Sequence, residues 1–144
     1  MRLSIFLFSI LLIFSCGDQN QVRTFTNNII FAPDPITKTT VDSSTVSCTY
    51  TISFQEIRGK SLEIVYARES VGTETTLIND AVFQEDTLSD IFPDRMVLPG
   101  QVITLNRTTT FPNPSAEPDT ITWLITGVDN YGNFENFVGE TQCE

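Results

Sequence analysis

The chain has 144 residues, of which 18 are Asp or Glu and 8 are Lys or Arg, for a formal net charge of −10. An acidic surface without a basic stripe repels phosphate backbones and argues against nucleic acid as a partner. Histidine is absent, which removes the usual general base, most zinc sites and every Ser-His or Cys-His nucleophilic system.

The chain opens with Met1-Arg2, followed by an apolar run over residues 5–14 that only Ser9 interrupts. The run has about the 7–15 residues of a signal-peptide core and is too short to span a bilayer of ~30 Å as a helix. It ends in Ile13-Phe14-Ser15-Cys16-Gly17-Asp18. A small residue directly before a cysteine at the end of the apolar core resembles the lipobox of bacterial lipoproteins. The resemblance implies cleavage after Ser15, a thioether-linked diacylglycerol on Cys16 and an acylated amino group; a plain secretory signal with a chance cysteine, or a buried helix, is the alternative. At ~0.8 kcal/mol per buried CH₂, several acyl chains make a stable anchor. Gly17, not aspartate, follows Cys16, which leans the expected site towards the outer membrane. The organisation expected is a signal peptide over 1–15, a lipid-anchored tether over 16–35 and one folded domain over 36–144. From Cys16 onward there are 129 residues, with seven Lys/Arg against eighteen Asp/Glu, a net charge of −11.

The tether is read from the polar run Asp18-Gln19-Asn20-Gln21 and from Pro33-Asp34-Pro35, since proline removes a backbone donor and favours extended chain. Within it, Val22, Phe25 and Ile29-Ile30-Phe31 are candidates for a first edge strand. From Ile36 the pattern is β. Val46, Cys48, Tyr50, Ile52 and Phe54 alternate with Ser47, Thr49, Thr51 and Ser53, a period of two with one buried face. After a turn at Arg58-Gly59-Lys60, Leu62, Ile64 and Tyr66 are expected on one face and Glu63 and Val65 on the other. A strand is expected near residues 75–83, and one short helical turn within 80–91. In 101–111, Ile103, Leu105 and Phe111 share a face. Ile121, Trp123 and Ile125 alternate with Thr122, Leu124 and Thr126, which makes Trp123 a core residue rather than a ligand platform. Asn130-Tyr131-Gly132-Asn133 has the chemistry of a hairpin turn into 134–142.

Six to eight short strands with turn signals between them predict an all-β sandwich. Residues 121–133, Ile-Thr-Trp-Leu-Ile-Thr-Gly-Val-Asp-Asn-Tyr-Gly-Asn, resemble the late strand and hairpin of bacterial immunoglobulin-like and fibronectin type III-like domains. That resemblance implies a single immunoglobulin-like sandwich of antiparallel strands.

With Cys16 set aside as the lipid site, Cys48 and Cys143 remain. In an oxidising exported compartment they are expected to form a disulfide; the alternative, free or metal-binding thiols, has no histidine and no Cys-x-x-Cys to support it. Serine-hydrolase, penicillin-binding and phosphate-cradling motifs are missing, and no cofactor is expected. Two acidic groups have the oxygen ligands that suit Ca²⁺: Asp80, Glu85, Asp86, Asp90 and Asp94, and Asp129, Asn130, Asn133 and Glu135. Neither has EF-hand spacing, so both read first as solvated loop and turn. Thr87 in Asp86-Thr87-Leu88 and Thr120 in Asp119-Thr120-Ile121 fit a short Asp-Ser/Thr-aliphatic pattern of O-glycosylation in some diderm bacteria. Asn106-Arg107-Thr108 has the form of an N-glycosylation acceptor, a modification a bacterial lipoprotein does not normally meet. The expected function is a non-enzymatic, lipid-anchored envelope module that binds protein or glycan, with a structural subunit of a surface assembly as the alternative. The candidate contact loops are 70–75, 80–99 and 112–118.

Overall fold

A computed structural model describes residues 23–25, 28–73, 75–112 and 118–144; the signal and lipid-site expectations for residues 1–16 lie outside them. The described chain runs β1 (Arg23–Phe25), β2 (Ile29–Ala32), β3 (Lys38–Thr40), β4 (Thr45–Gln55), β5 (Leu62–Gly72), β6 (Leu77–Gln84), α1 (Asp86–Ile91), β7 (Met96–Val97), β8 (Val102–Pro112), β9 (Asp119–Asp129) and β10 (Phe134–Cys143). The expected all-β sandwich is what forms. The large sheet has the order β1-β10-β9-β5-β6, with β7 also on β5. The small sheet has the order β2-β4-β3, with β8 on the other edge of β4. All pairings are antiparallel except β1 with β10 and the bridge from Ile36 to Cys143.

The alternation that marks β4 in the sequence becomes burial. Val46, Cys48, Tyr50, Ile52 and Phe54 face the large sheet, where Ile121, Trp123, Ile125 and Phe137 meet them with no exposed surface or almost none. Phe54 and Phe137 meet edge to face at 4.8 Å between ring centroids. Cys48 on the small sheet and Cys143 on the large sheet form the expected disulfide, 95 residues apart in sequence and 6.5 Å between Cα atoms. It ties the two layers together at the C-terminal end of β10.

Three expectations need correction. The folded domain starts before Ile36: the candidate edge strand at Ile29-Ile30-Phe31 forms, with Ile29–Ala32 pairing with Phe54–Thr51 of β4, so this part of the expected tether belongs to the sandwich. Ile29 and Phe31 are buried, and their hydrophobicity outweighs the prolines, which fall between β2 and β3. The Ala32–Pro33 and Asp34–Pro35 bonds are both cis. Secondly, Tyr66 does not share a face with Leu62 and Ile64. The register of β5 on β9 shifts between Ile64, opposite Gly127, and Tyr66, opposite Thr126. Val65 is thus the extra residue of a bulge, and a bulge inverts every later side chain. Ala67, Glu69 and Val71 point inward, while Tyr66, Arg68 and Ser70 point outward. Thirdly, much of the expected loop surface is regular structure, since Ser70–Gly72 ends β5 and Asp80–Gln84 ends β6. The helical turn expected in 80–91 is α1, which buries Leu88.

Candidate functional site

Carboxylates are the groups in this chain with most chemical potential, and among the described residues five are buried: Glu56, Glu69, Asp119, Asp129 and Glu135. Each is matched by a donor or a cation. Glu69 enters the core because of the β5 bulge. It accepts from the Tyr50 hydroxyl at 2.5 Å, from the Thr109 hydroxyl and from Arg107 Nη2 at 2.6 Å. The Trp123 indole donates to the Tyr50 hydroxyl at 2.9 Å, so the indole's polar end is satisfied while its ring stays in the core. The Arg107 guanidinium lies 5.2 Å from the Phe83 ring centroid and 5.7 Å from that of Trp123, a cation–π arrangement. Burial, followed by the adjacent Glu69 charge, pushes the Tyr50 phenol well above the ordinary tyrosine range. A phenol so held stays protonated and a carboxylate so held stays matched, so the cluster has the chemistry of a structural staple.

The second network caps the end of the sandwich. Glu56 accepts from the backbone amides of Arg58, Gly59 and Lys60 at 2.9, 2.9 and 3.2 Å, which folds the turn after β4; Gly59 supplies the positive φ that turn needs (74°). Arg58 pairs with Glu135 and lies over Phe137. Lys60 Nζ sits 2.8 Å from Asp129 Oδ2 and 3.5 Å from Glu135 Oε1. Asp129 Oδ1 also accepts from the amides of Tyr131 and Asn133, both at 2.9 Å, closing the hairpin expected at 130–133. The bond from Lys60 holds the Asp129 carboxyl well below the usual range. Where the sequence offered Ca²⁺ ligands at Asp129, Asn133 and Glu135, the fold supplies the ammonium of Lys60.

The other acidic group is dispersed. Asp80 is held bidentate by Arg68 at 2.7 and 2.9 Å, Asp94 accepts the Met96 amide, and Glu85, Asp86 and Asp90 lie exposed around α1. Among the described residues no group of three or more acidic or sulfur ligands is arranged to hold a metal. Thr87 is exposed and exchanges hydrogen bonds with the backbone of Gln84 at 2.9 and 3.0 Å. Thr120 lies within β9 and accepts from Gln142 Nε2 at 3.1 Å; its neighbour Asp119 is buried against Lys38 at 2.8 Å. Asn106 accepts from the Thr51 hydroxyl at 2.9 Å.

The surface that stands out is the outer face of the large sheet. Solvent-facing strand positions are ordinarily polar, yet register places Val138 opposite Leu124, Leu124 opposite Arg68 and Arg68 opposite Val82. One row towards the hairpin, Asn136, Thr126, Tyr66 and Gln84 align in the same way, and beyond them Phe134 faces Val128. Val82 and Phe134 are about half exposed, at 45% and 53%. At the opposite end of the face, Ser70, Thr76, Thr120, Thr122 and Glu140 line a shallow hollow of about 360 Å³. The face therefore presents Val138 and Leu124 side by side and Val82 across Arg68, beside a hydroxyl-lined hollow. Sequence reasoning placed contacts in loops and missed it, although a signal was present: Trp123-Leu124-Ile125 and Phe137-Val138 are apolar on consecutive residues, the mark of a strand that is covered on both sides.

No protein-family model matches the chain, and no curated protein matches it. Solved structures do. The crystal structure of the putative ApaA protein from Bordetella pertussis is 11% identical, with a TM-score of 0.55, covering 85% of this chain and 95% of that one. The likeness shows the fold. A protein from Archaeoglobus fulgidus is 11% identical with a TM-score of 0.40, covering 79% of this chain and 92% of that one.

Proposed function

We propose that this chain is a lipid-anchored protein of the bacterial envelope, on the outer-membrane side, that binds a protein or glycan partner without turnover. The observation that carries the binding reading is the part-exposed pair Val138 and Leu124, followed across Arg68 by the exposed Val82, on an outward sheet face, because apolar surface grouped on one face marks interaction sites. The buried carboxylates support the absence of turnover, since Glu69 and Asp129 are saturated by donors. The anchor rests on the lipobox resemblance at Ser15-Cys16. The immunoglobulin-like reading is supported by the strand order β2-β4-β8 against β10-β9-β5-β6, with a first segment that pairs in both sheets, and by a disulfide between layers.

Fatty-acid labelling tests the anchor. Labelled palmitate is expected on the native chain and absent from Cys16→Ser; label retained by that variant contradicts the assignment. A hydrolase screen tests the second half. Reproducible turnover that is lost in Glu69→Gln or Asp129→Asn contradicts a binding role.

A further inference from the structure

The two ends of the sandwich differ in what they leave exposed. Among the described residues ten large hydrophobic side chains are exposed, and six belong to one end: Ile57, Met96, Leu98, Val102, Tyr131 and Phe134. Strand pairing groups them. The loop after β4 closes onto the start of β8, where the Glu56 amide donates to the Gln101 carbonyl. β7 lies against Leu62 and Glu63 at the start of β5, and Leu62 stands opposite Asp129, where the β9–β10 hairpin begins. Single exposed apolar residues are ordinary, whereas a group of them marks a contact surface. The opposite end leaves only Val41 and Leu77 in this class.

The chain enters the fold at the same end. β1 runs parallel to β10 from Arg23, which is in register with Glu135, the second residue of β10. Arg23 is the seventh residue after Cys16, and seven residues span at most about 25 Å. A lipid on Cys16 therefore holds this end within about 25 Å of the headgroups, while the opposite end lies a strand length away along β10, ~30 Å.

Charge agrees with this placement. Anionic lipid repels acidic protein, and the chain has a net charge of −10. At this end, however, Glu56, Asp129 and Glu135 are buried, and Lys60 and Arg58 match Asp129 and Glu135. The exposed Glu63 and Asp94 are equalled in number by Arg23 and Arg95. Four of the seven Lys and Arg residues that follow Cys16 thus stand at this end. Lys60 Nζ also lies 6.0 Å from the centroid of the Tyr131 ring. An exposed tyrosine beside an ammonium on a flexible stem suits the headgroup layer, where amphipathic rings settle and lysines keep their charge in water.

We infer that this end of the sandwich rests on the lipid surface that holds the Cys16 chains, with Ile57, Leu98 and Tyr131 seated among the headgroups. The inference rests on the anchor proposed above and goes beyond it, since the anchor gives attachment and the apolar end gives orientation. The strands then stand up from the membrane, and the outer face of the large sheet is turned sideways, open to a partner.

The test uses the lipid-bearing full chain, reconstituted into vesicles of phosphatidylethanolamine and phosphatidylglycerol, with a bimane label on one introduced cysteine. Cys48 and Cys143 are bonded to each other and Cys16 carries the lipid, so the added thiol takes the label. Tyr131→Cys is expected to lose emission when the vesicles include lipid with a nitroxide near its headgroup. Val41→Cys, exposed at the far end, is expected to keep its emission. Adding Ile57→Glu and Leu98→Glu to the Tyr131→Cys chain changes exposed positions only. It is expected to bring the quenching down to the Val41→Cys level while the chain still floats with the vesicles. A chain that does not float overturns the anchor, and this inference with it. A chain that floats with position 131 no more quenched than position 41 overturns the inference alone, as does quenching that survives the glutamate pair. A blue shift at 131 without quenching places protein instead of lipid on this end, and has the same result.

Discussion

The Tyr50 hydroxyl, carried by the small sheet, donates to Glu69 of the large sheet at 2.5 Å, so a polar contact joins the two layers within an otherwise apolar core. Glu69 also neutralises Arg107 and receives Thr109. Removing it strips the counter-charge from Arg107, whose side chain is only 22% exposed. Breaking a buried ion pair by deleting one partner costs about 3–5 kcal/mol, and the partial exposure of Arg107 sets the expectation near the lower end. Glu69→Ala is expected to lose about 3 kcal/mol in urea unfolding. A loss under about 1 kcal/mol, the size of an ordinary exposed pair, would show that the network is not structural.

The Cys48–Cys143 bond closes a loop of 95 residues between layers. Loop closure on that scale restricts the unfolded chain by about 4–5 kcal/mol. The Cys48→Ala/Cys143→Ala double variant is expected to lose most of that stability, measured by denaturant unfolding against the oxidised protein. A double variant of equal stability would refute a stabilising role for the bond.

Gly139 is needed for a packing reason and not for its φ. A Cβ built there would lie 2.5 Å from Ile29 Cγ2 and 2.6 Å from Ile29 Cβ, with Phe31 at 3.1 Å. Ile29 is β-branched and stiff at χ1, and it belongs to the strand that seats the N-terminal segment on the core. Gly139→Ala is expected to destabilise by about 1–3 kcal/mol through overpacking. Combined with Ile29→Gly, which removes both Cβ and Cγ2, the clash with Ile29 is relieved, so a double-mutant cycle should give a favourable coupling. Additive effects would mean that the two side chains do not compete for this space.

The Asp129 carboxyl is held below its ordinary range by Lys60 and by the Asn133 and Tyr131 amides. A depressed folded pKa contributes stability that is present above the unfolded carboxylate value of ~3.9 and is lost as pH falls through the folded value. Unfolding measured between about pH 6 and about pH 2 should therefore show stability falling on the acid side. Asp129→Asn keeps an oxygen for the two amides and removes the titration, so its acid slope should be shallower. An unchanged slope would remove Asp129 from the pH response.

Much of this architecture was legible in the sequence. The alternation of β4 and β9 named the core, including Trp123, and the two cysteines left beside Cys16 named the disulfide. What escaped was set by contacts between distant segments. Period-two reading carries Leu62 and Ile64 on to Tyr66, and only pairing with β9 inserts Val65 as a bulge. The single local sign was Gly127, a glycine inside a strand and opposite the irregularity. That one residue decides whether Arg68 or Glu69 enters the core, so missing it hid the Tyr50–Glu69–Arg107 network. The edge strand at Ile29-Ile30-Phe31 was legible from its hydrophobicity, but Pro33 and Pro35 still set the domain start too late, because the partners of Ile29 and Phe31 lie more than twenty residues away on β4.

The central claim is that the outer face of the large sheet holds a partner in the envelope. Affinity capture from native envelopes, with the anchored full chain compared with Leu124→Glu/Val138→Glu, tests it most directly. Both side chains sit on the outward side of paired strands, so the variant is expected to fold with an unchanged melting temperature. The native chain should co-purify a partner that a photo-cross-linker at position 122 labels, and the variant should lose that partner. A partner held equally well by the folded variant would contradict the account.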